Sequence, residues 1–449
     1  MSQSHLFELG DDQPRRAQEC EYPRLGRPRV RRPVRDQVEI RQLSLDQLIP
    51  DDHQARIVWS FVQSLDLAPL YNRIKATGRL PGRAAADPAV FMALWLYATL
   101  RGVGSARELD RLSREHLAYK WIRGGVPLDY HTLADFRVEH TELLSRLLTE
   151  SVAVLMHQGL VTLDRVAQDG MRVRAEANKS SFHRRPTLEK CLHEAEEQVE
   201  ALAREREEDP AAAGPRQWAA RERAGREQVE RIKHALTELE DVAAKREFRK
   251  KGTGDEARAS TTDPEARTTK FADGSFYPAY NVQFATATDS QVIVGVEVVN
   301  SSGDGGQMEP MIRQIEDRYG KSPDEYLVDG GFITVDDIES VGAAGREVTV
   351  YGPIKEEEKK RQKGVDPYAP RPRDGALTAA WRARMGTEEA KAIYKERAST
   401  AECVNAQARN RGLRRFWVRS LIKVRAVGLW YALAHNVMRM VALRTLKLA

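Results

Sequence analysis

The sequence predicts a mixed α/β protein: an all-helical N-terminal domain, then a mixed sheet that an inserted helical hairpin interrupts. Three observations predict it. Apolar residues recur at helical spacing from about residue 43 to 157. Short β-branched runs begin only at LVTLDRVAQDGMRVRAEAN and return after residue 250. Between them, residues 187–250 are rich in Glu, Arg, Lys and Ala, with apolar residues three or four apart.

The 449 residues, 41% hydrophobic and 31% charged, suffice for two or three domains with cores of their own. A formal charge of +5 permits a polyanionic partner without requiring one, so where the charge sits is more informative than its size. Cys20, Cys191 and Cys403 are far apart and form no CxxC pair, which points to neither a zinc site nor a disulfide framework and fits a reducing cytosol. No apolar signal-peptide segment is read at the start. The stretch VGLWYALAHNVMRMVALR carries His435 and Arg439 and reads as a core helix, not a membrane span.

Residues 1–42 are expected to form a basic flexible tail, because RLGRPRVRRPVR sets prolines among its arginines. Residues 43–157 form the helical N-terminal domain, in which Asp87 with Pro88, Ser105 with Glu108, and Thr132 with Asp135 mark helix starts. A strand follows over RVAQDGMRV. Leu188, Leu192, Ala195, Val199 and Leu202 then define one helix and Val229, Ile232, Leu236 and Leu239 its antiparallel mate, with EDPAAAGP as the turn of the 187–250 insert. The segments 158–186 and 251–449 make up the sheet domain. In the second, YPAYNVQFATATD and QVIVGVEVVN read as strands, GGQMEPMIRQIEDRYG as a helix, PDEYLVDGGF as a strand, TVDDIESVGA as a helix and EVTVYGP as a strand. Lys355 to Asp374 reads as a loop, and the chain from Thr387 onward as helix.

With the hairpin set aside, this is the element order of a ribonuclease H-like mixed sheet. That order sets the strand of Asp169 beside the strand that ends at Asp329. Each aspartate follows an apolar run and precedes a glycine, Gly170 or Gly330, which leaves room beside it. A metal-dependent phosphoryl-transfer site needs a further oxygen ligand, since two hard cations about 3.5–4 Å apart share several carboxylates. Glu402, the last acidic residue of the chain, is the candidate, with Asn405 and Arg409 on the same side of its helix. Singly, either Asp-Gly reads as an ordinary turn and Glu402 as a surface charge; jointly they favour a site. Asp263, Asp304, Asp336 and Asp337 carry less support, each lying in an apparent loop or at a helix start where capping accounts for it. His131 and His183 show no ligand spacing, so zinc is not expected.

At these residues the chain resembles the DDE transposases of bacterial insertion sequences, of the type with an InsH-like helical N-terminal domain, from about residue 40 to the end. QDGMRVRAEAN matches that family's first aspartate motif at Asp169, TDPEAR at 262–267 its polar link, YNVQ its second strand and DGGF its second aspartate motif at Asp329. Tyr394, Arg397, Glu402 and Arg409 match its tyrosine, arginine, glutamate and following base. The chain departs from the pattern at Phe332, where tyrosine is usual, at Glu-Cys-Val-Asn in place of Glu-Pro-Phe-Gly, and by one extra residue between Arg397 and Glu402.

The resemblance implies a cut-and-paste DNA transposase: hydrolysis at the transposon ends, then attack of the freed 3′-hydroxyl on target DNA. It implies two Mg2+ ions, replaceable by Mn2+, on Asp169, Asp329 and Glu402, phosphate contacts from Arg397 and Arg409, and stacking or a phosphate contact from Tyr394. The implied partners are double-stranded DNA, as terminal inverted repeats and target, and a second copy of the chain on that DNA; no membrane is involved, and the place is the nucleoid-associated cytoplasm. The run Arg409, Arg411, Arg414, Arg415, Arg419, Lys423 and Arg425 contains no balancing acid and is expected to draw in duplex backbone. The Arg24–Arg35 tail suits a minor groove, sequence readout belongs to the N-terminal domain, and the charge-balanced hairpin suits self-contact. Two other classes stay open: a catalytically inactive DNA-binding repressor derived from an element, and a ribonuclease H-like nuclease that cuts without joining.

Overall fold

The computed structural model describes residues 33–38, 40, 42–76, 84–209, 212–248, 252–342 and 345–448. The arginine tail expected at 24–35 falls almost wholly outside them. Helices α1 (Gln54–Gln63), α2 (Ala68–Tyr71), α3 (Pro88–Leu100), α4 (Ala106–Glu115), α5 (Leu117–Arg123), α6 (Tyr130–Glu139) and α7 (Thr141–His157) fill the N-terminal region. Local chemistry sets their starts. Asp87 accepts from the Ala89 N–H at 2.8 Å while Pro88 supplies a helical φ, so α3 begins where the sequence predicts. Ser105 Oγ likewise accepts from the Glu108 N–H. The third start differs by one turn: Asp129 Oδ1 takes the N–H groups of His131 and Thr132 at 2.9 and 3.0 Å, which leaves Thr132 inside α6. A carboxylate able to satisfy two free donors outcompetes a hydroxyl further in.

Strand β1 (Arg165–Arg174) opens the sheet domain. A two-residue ribbon, β2 (Phe182–His183) with β3 (Ala259–Ser260), ties the base of the hairpin formed by α8 (Arg185–Glu208) and α9 (Pro215–Phe248). The hairpin keeps small cores of its own, one of them Ala195, Val229 and Ile232. The remaining strands are β4 (Arg267–Lys270), β5 (Phe276–Ala287), β6 (Ile293–Val299), β7 (Glu325–Leu327) and β8 (Thr349–Tyr351), with α10 (Met308–Tyr319) and α11 (Val335–Gly342) as crossovers. The order is β4-β5-β1-β7-β8, with β6 on the same edge of β5 as β4. β5 runs antiparallel to β1, whereas β7 and β8 are parallel to it, so the sheet is mixed as expected.

The C-terminal part departs from a single helical run. α12 (Glu357–Gln362) lies within the stretch expected as loop, and α13 (Ala376–Met385) precedes α14 (Glu388–Arg397). A π turn over Ala398–Glu402 leads into α15 (Cys403–Asn410); residues 411–420 are irregular, and α16 (Leu421–Leu448) ends the chain. α16 packs on α3, α6, α7 and β6, so the helical region and the sheet share one apolar core within the compact unit 45–449. Trp430 is buried there and donates Nε1–H to the Arg137 carbonyl at 2.9 Å, while Asn436 pairs with both the N–H and the C=O of Ile293 in β6. Among the described residues no helix is long and apolar enough to cross a membrane.

Candidate active site

The parallel register of β1 and β7 places Ala167 opposite Leu327. Two residues further along each strand stand Asp169 and Asp329, which therefore emerge side by side. The turn from α14 to α15 covers that part of β1 and β5 and brings Arg397, Glu402 and Asn405 to them. Each aspartate has one oxygen oriented by the chain that follows: Gly170 N–H donates to Asp169 Oδ1 at 3.0 Å, and Gly331 N–H to Asp329 Oδ1 at 2.7 Å. Asn405 Nδ2 donates to Asp169 Oδ2 at 2.9 Å.

One guanidinium meets all three predicted acids. Arg397 lies 3.2 Å from Asp169, 4.0 Å from Asp329 and 2.7 Å from Glu402. Its side chain is only 10% exposed and Asp169 only 16%, so this is a shielded interaction and not a surface pair. Burial raises the Asp169 carboxyl above its ordinary value; Arg397 opposes that shift, and the neighbouring Asp329 adds to it. Burial works against the Arg397 charge as well, but Asp169, Tyr394, Asp329 and Glu402 together hold its pKa above the usual value.

The extra residue between Arg397 and Glu402 is absorbed by the π turn, whose i→i+5 repeat brings residues five apart onto one face. Glu402 is thereby returned to Arg397 despite the longer spacing.

On the other face of β1, where residues alternate with Asp169, a cleft of about 840 Å3 opens. Arg172 and Arg174 from β1, Arg409, Arg414 and Arg415 from the C-terminal segment, and Asp304 and Asp329 line it. Of the three acids, Asp329 is the one that borders both this cleft and the Arg397 cluster. The other basic residues named from the sequence are spread more widely. Arg419 and Lys423 are exposed, whereas Arg411 is partly buried and its carbonyl accepts from Tyr431 Oη. Tyr394 packs partly buried against the core, and burial raises its pKa. Nor is the run free of counter-charge, since Glu176 pairs with Arg415 at 3.0 Å and Glu297 with Arg425 at 2.6 Å.

Sequence reasoning did not single out Arg172 or Arg174, and it weighed Asp304 but gave it less support than the three acids. The period-two alternation from Gly170 would have found the two arginines. Asp304 instead reads as one member of a GDGG turn, and nothing local ties it to β1.

The donor set fits a hard divalent cation. Asp169, Asp329 and Glu402 offer only oxygen, and the buried Asn405 Oδ1 has no hydrogen-bond partner. Among the described residues, the group whose ligand atoms lie within 4.8 Å of one another is a different one, His234, Glu238 and Glu265. There Glu238 pairs with Arg267 and Glu265 accepts the Leu421 N–H, so both acids already have partners.

Residues 43–139 match the family model described as Transposase domain (DUF772), and residues 358–441 the one described as Transposase DDE domain. The second match contains Tyr394, Arg397, Glu402, Asn405 and Arg409; Asp169 and Asp329 lie outside both. No curated protein and no solved structure matches the chain.

Proposed function

Both matched segments place this chain among the DDE transposases of insertion sequences, and on that premise we propose a cut-and-paste DNA transposase in which Asp169, Asp329 and Glu402 hold two Mg2+ ions. One observation carries the reading: Arg397 reaches all three acids, which come from a strand, a strand end and a helix. Three carboxylates that share one guanidinium have their mutual repulsion offset by its charge, and Arg397 supplies that charge. The strand order, with an antiparallel β5 beside parallel β1, β7 and β8, supports a ribonuclease H-like assignment.

Each residue then has a task. Asn405 and the Gly170 N–H orient Asp169, and the Gly331 N–H orients Asp329, so both present fixed oxygens. Arg409, Arg414 and Arg415 bind phosphates along the cleft, with Arg419 and Lys423 extending that surface. Tyr394, partly buried one helical turn before Arg397, adds to the electrostatic hold on its charge. Bound Mg2+ supplies an activated oxygen nucleophile and stabilises the leaving 3′ oxygen. The substrates are the terminal inverted repeats and target DNA, engaged by a homodimer in the cytoplasm.

The test is Mg2+-dependent cleavage and joining of DNA carrying the element ends. Asp329→Asn is expected to reduce both to background while DNA binding persists; full cutting by that variant overturns the reading. Cutting without joining by the wild-type chain would favour a nuclease, and binding without cutting a repressor.

A further inference from the structure

A buried relay of side chains runs beneath the cleft. Tyr326 Oη in β7 donates to Gln168 Oε1 in β1 at 2.8 Å, and Gln168 Nε2 donates to Gln283 Oε1 in β5 at 3.0 Å. Gln283 Nε2 in turn donates to Asp304 Oδ1 at 2.8 Å. All three relay members are fully buried, and a polar chain that deep is costly unless every link is made. It ends on a carboxylate outside the triad. Asn281 Nδ2 donates to the same Asp304 oxygen at 2.7 Å, which leaves Asp304 Oδ2 on the side of Gly331.

Two glycines mark what Asp304 faces. A Cβ on Gly170 would lie 2.1 Å from Asp304 Oδ1 and 2.9 Å from Asn281 Oδ1. That Asn281 oxygen belongs to a residue 3% exposed, has no hydrogen-bond partner and lies on the Gly170 side of Asp304. A Cβ on Gly331 would lie 2.9 Å from Asp329 Oδ1 and 3.2 Å from Asp304 Oδ2, so those two carboxylates flank one small gap. Asp304 thus has the unmet Asn281 oxygen beside its Oδ1 and Asp329 across the gap from its Oδ2, and oxygen-only donors of this kind suit a hard divalent cation or its water.

We propose that Asp304 is a fourth carboxylate of the cation site, set by Asn281 and Gln283 from the face of the sheet opposite Asp169 and sharing Asp329 with Asp169 and Glu402. This rests on the reading of Asp169, Asp329 and Glu402 as cation ligands. Asp304 thus binds or positions the ion, and the glycines at 170 and 331 are the room it requires.

The test is Mn2+ binding to the full chain by calorimetry, without DNA, with each variant's fold checked by thermal melting. Asp304→Asn is expected to weaken Mn2+ about tenfold or more, as Asp329→Asn does, while Asp336→Asn at the exposed start of α11 leaves it unchanged. Wild-type affinity in Asp304→Asn alongside loss in Asp329→Asn overturns this inference alone. Unchanged binding in both, or no uptake by the wild type, overturns the cation-site reading beneath it. A second measurement needs no variant: Fe2+ with ascorbate and peroxide cuts the backbone next to a bound ion. Cuts are expected at 303–305 as well as beside Asp169 and Asp329; cuts confined to the latter overturn the proposal.

Discussion

Arg397 and Glu402 are five residues apart, and their side chains meet at 2.7 Å. On a regular α-helix that separation turns through about 500°, leaving the two about 140° apart. The π turn over Ala398–Glu402 removes the mismatch. Deleting the exposed Ser399 should therefore convert the turn to regular helix and keep Arg397 on Glu402, with a stability change within about 1 kcal/mol. Inserting an alanine at the same place should rotate Glu402 away and abolish DNA cleavage. Chemical denaturation together with a cleavage assay on both variants checks the pair of outcomes.

Arg397→Gln leaves the poorly exposed Asp169 without its cation, and is expected to cost about 2–3 kcal/mol at pH 7. The sign with pH follows from the raised folded pKa of Asp169, which burial causes and Arg397 restrains. Stability is fully present below the ordinary carboxylate value of 3.8 and is lost as pH rises through the folded value, which the variant pushes higher still. Urea titrations at pH 4 and pH 7 should show the variant's deficit growing with pH.

Gly170→Ala and Gly330→Ala should separate sharply. At Gly170 the new methyl would meet Asp304 at 2.1 Å, whereas at Gly330 its nearest neighbour is Pro353 Cγ at 3.5 Å, an ordinary contact. The first is expected to destabilise by about 2–3 kcal/mol and the second by no more than about 0.5 kcal/mol. Guanidinium melts of the two variants test this.

His435 in α16 is buried and hydrogen-bonds the Gln291 carbonyl at 2.8 Å. Burial pushes its pKa from 6.5 down to about 4, against the opposing pull of that hydrogen bond. A depressed folded value means its contribution is present above pH 6.5 and lost as pH falls toward 4, by about 3 kcal/mol in all. His435→Gln should flatten that part of the stability curve, as followed by urea unfolding between pH 7 and pH 4.

Arg414 lines the cleft without a carboxylate partner among the described residues, while Arg415 is held by Glu176. Arg414→Ala should lower the salt dependence of DNA binding by about one unit of slope, equally for all sequences. Glu176→Gln frees Arg415 and should steepen the slope by about the same amount. Fluorescence anisotropy over a range of salt concentrations measures both.

By itself the sequence determined the elements whose cause is local. Asp87 with Pro88 starts α3, the 3.6-residue period of Leu188 to Leu239 writes the hairpin, and β-branched runs mark β5 and β6. It also named Asp169, Asp329 and Glu402 as a set, from glycine neighbours and motif order. Only the tertiary structure decided that Arg397 stands among them, that Asp304 approaches from the opposite face of the sheet, and that Glu176 and Glu297 offset part of the arginine run. The physical reason is range. Asn405 meets Asp169 across 236 residues of chain, and such a contact exists only once β1, β5 and β7 have paired and the π turn has set the register of α15. Caps and periodicity are encoded within one or two turns; which oxygen faces which guanidinium is settled by how the layers close.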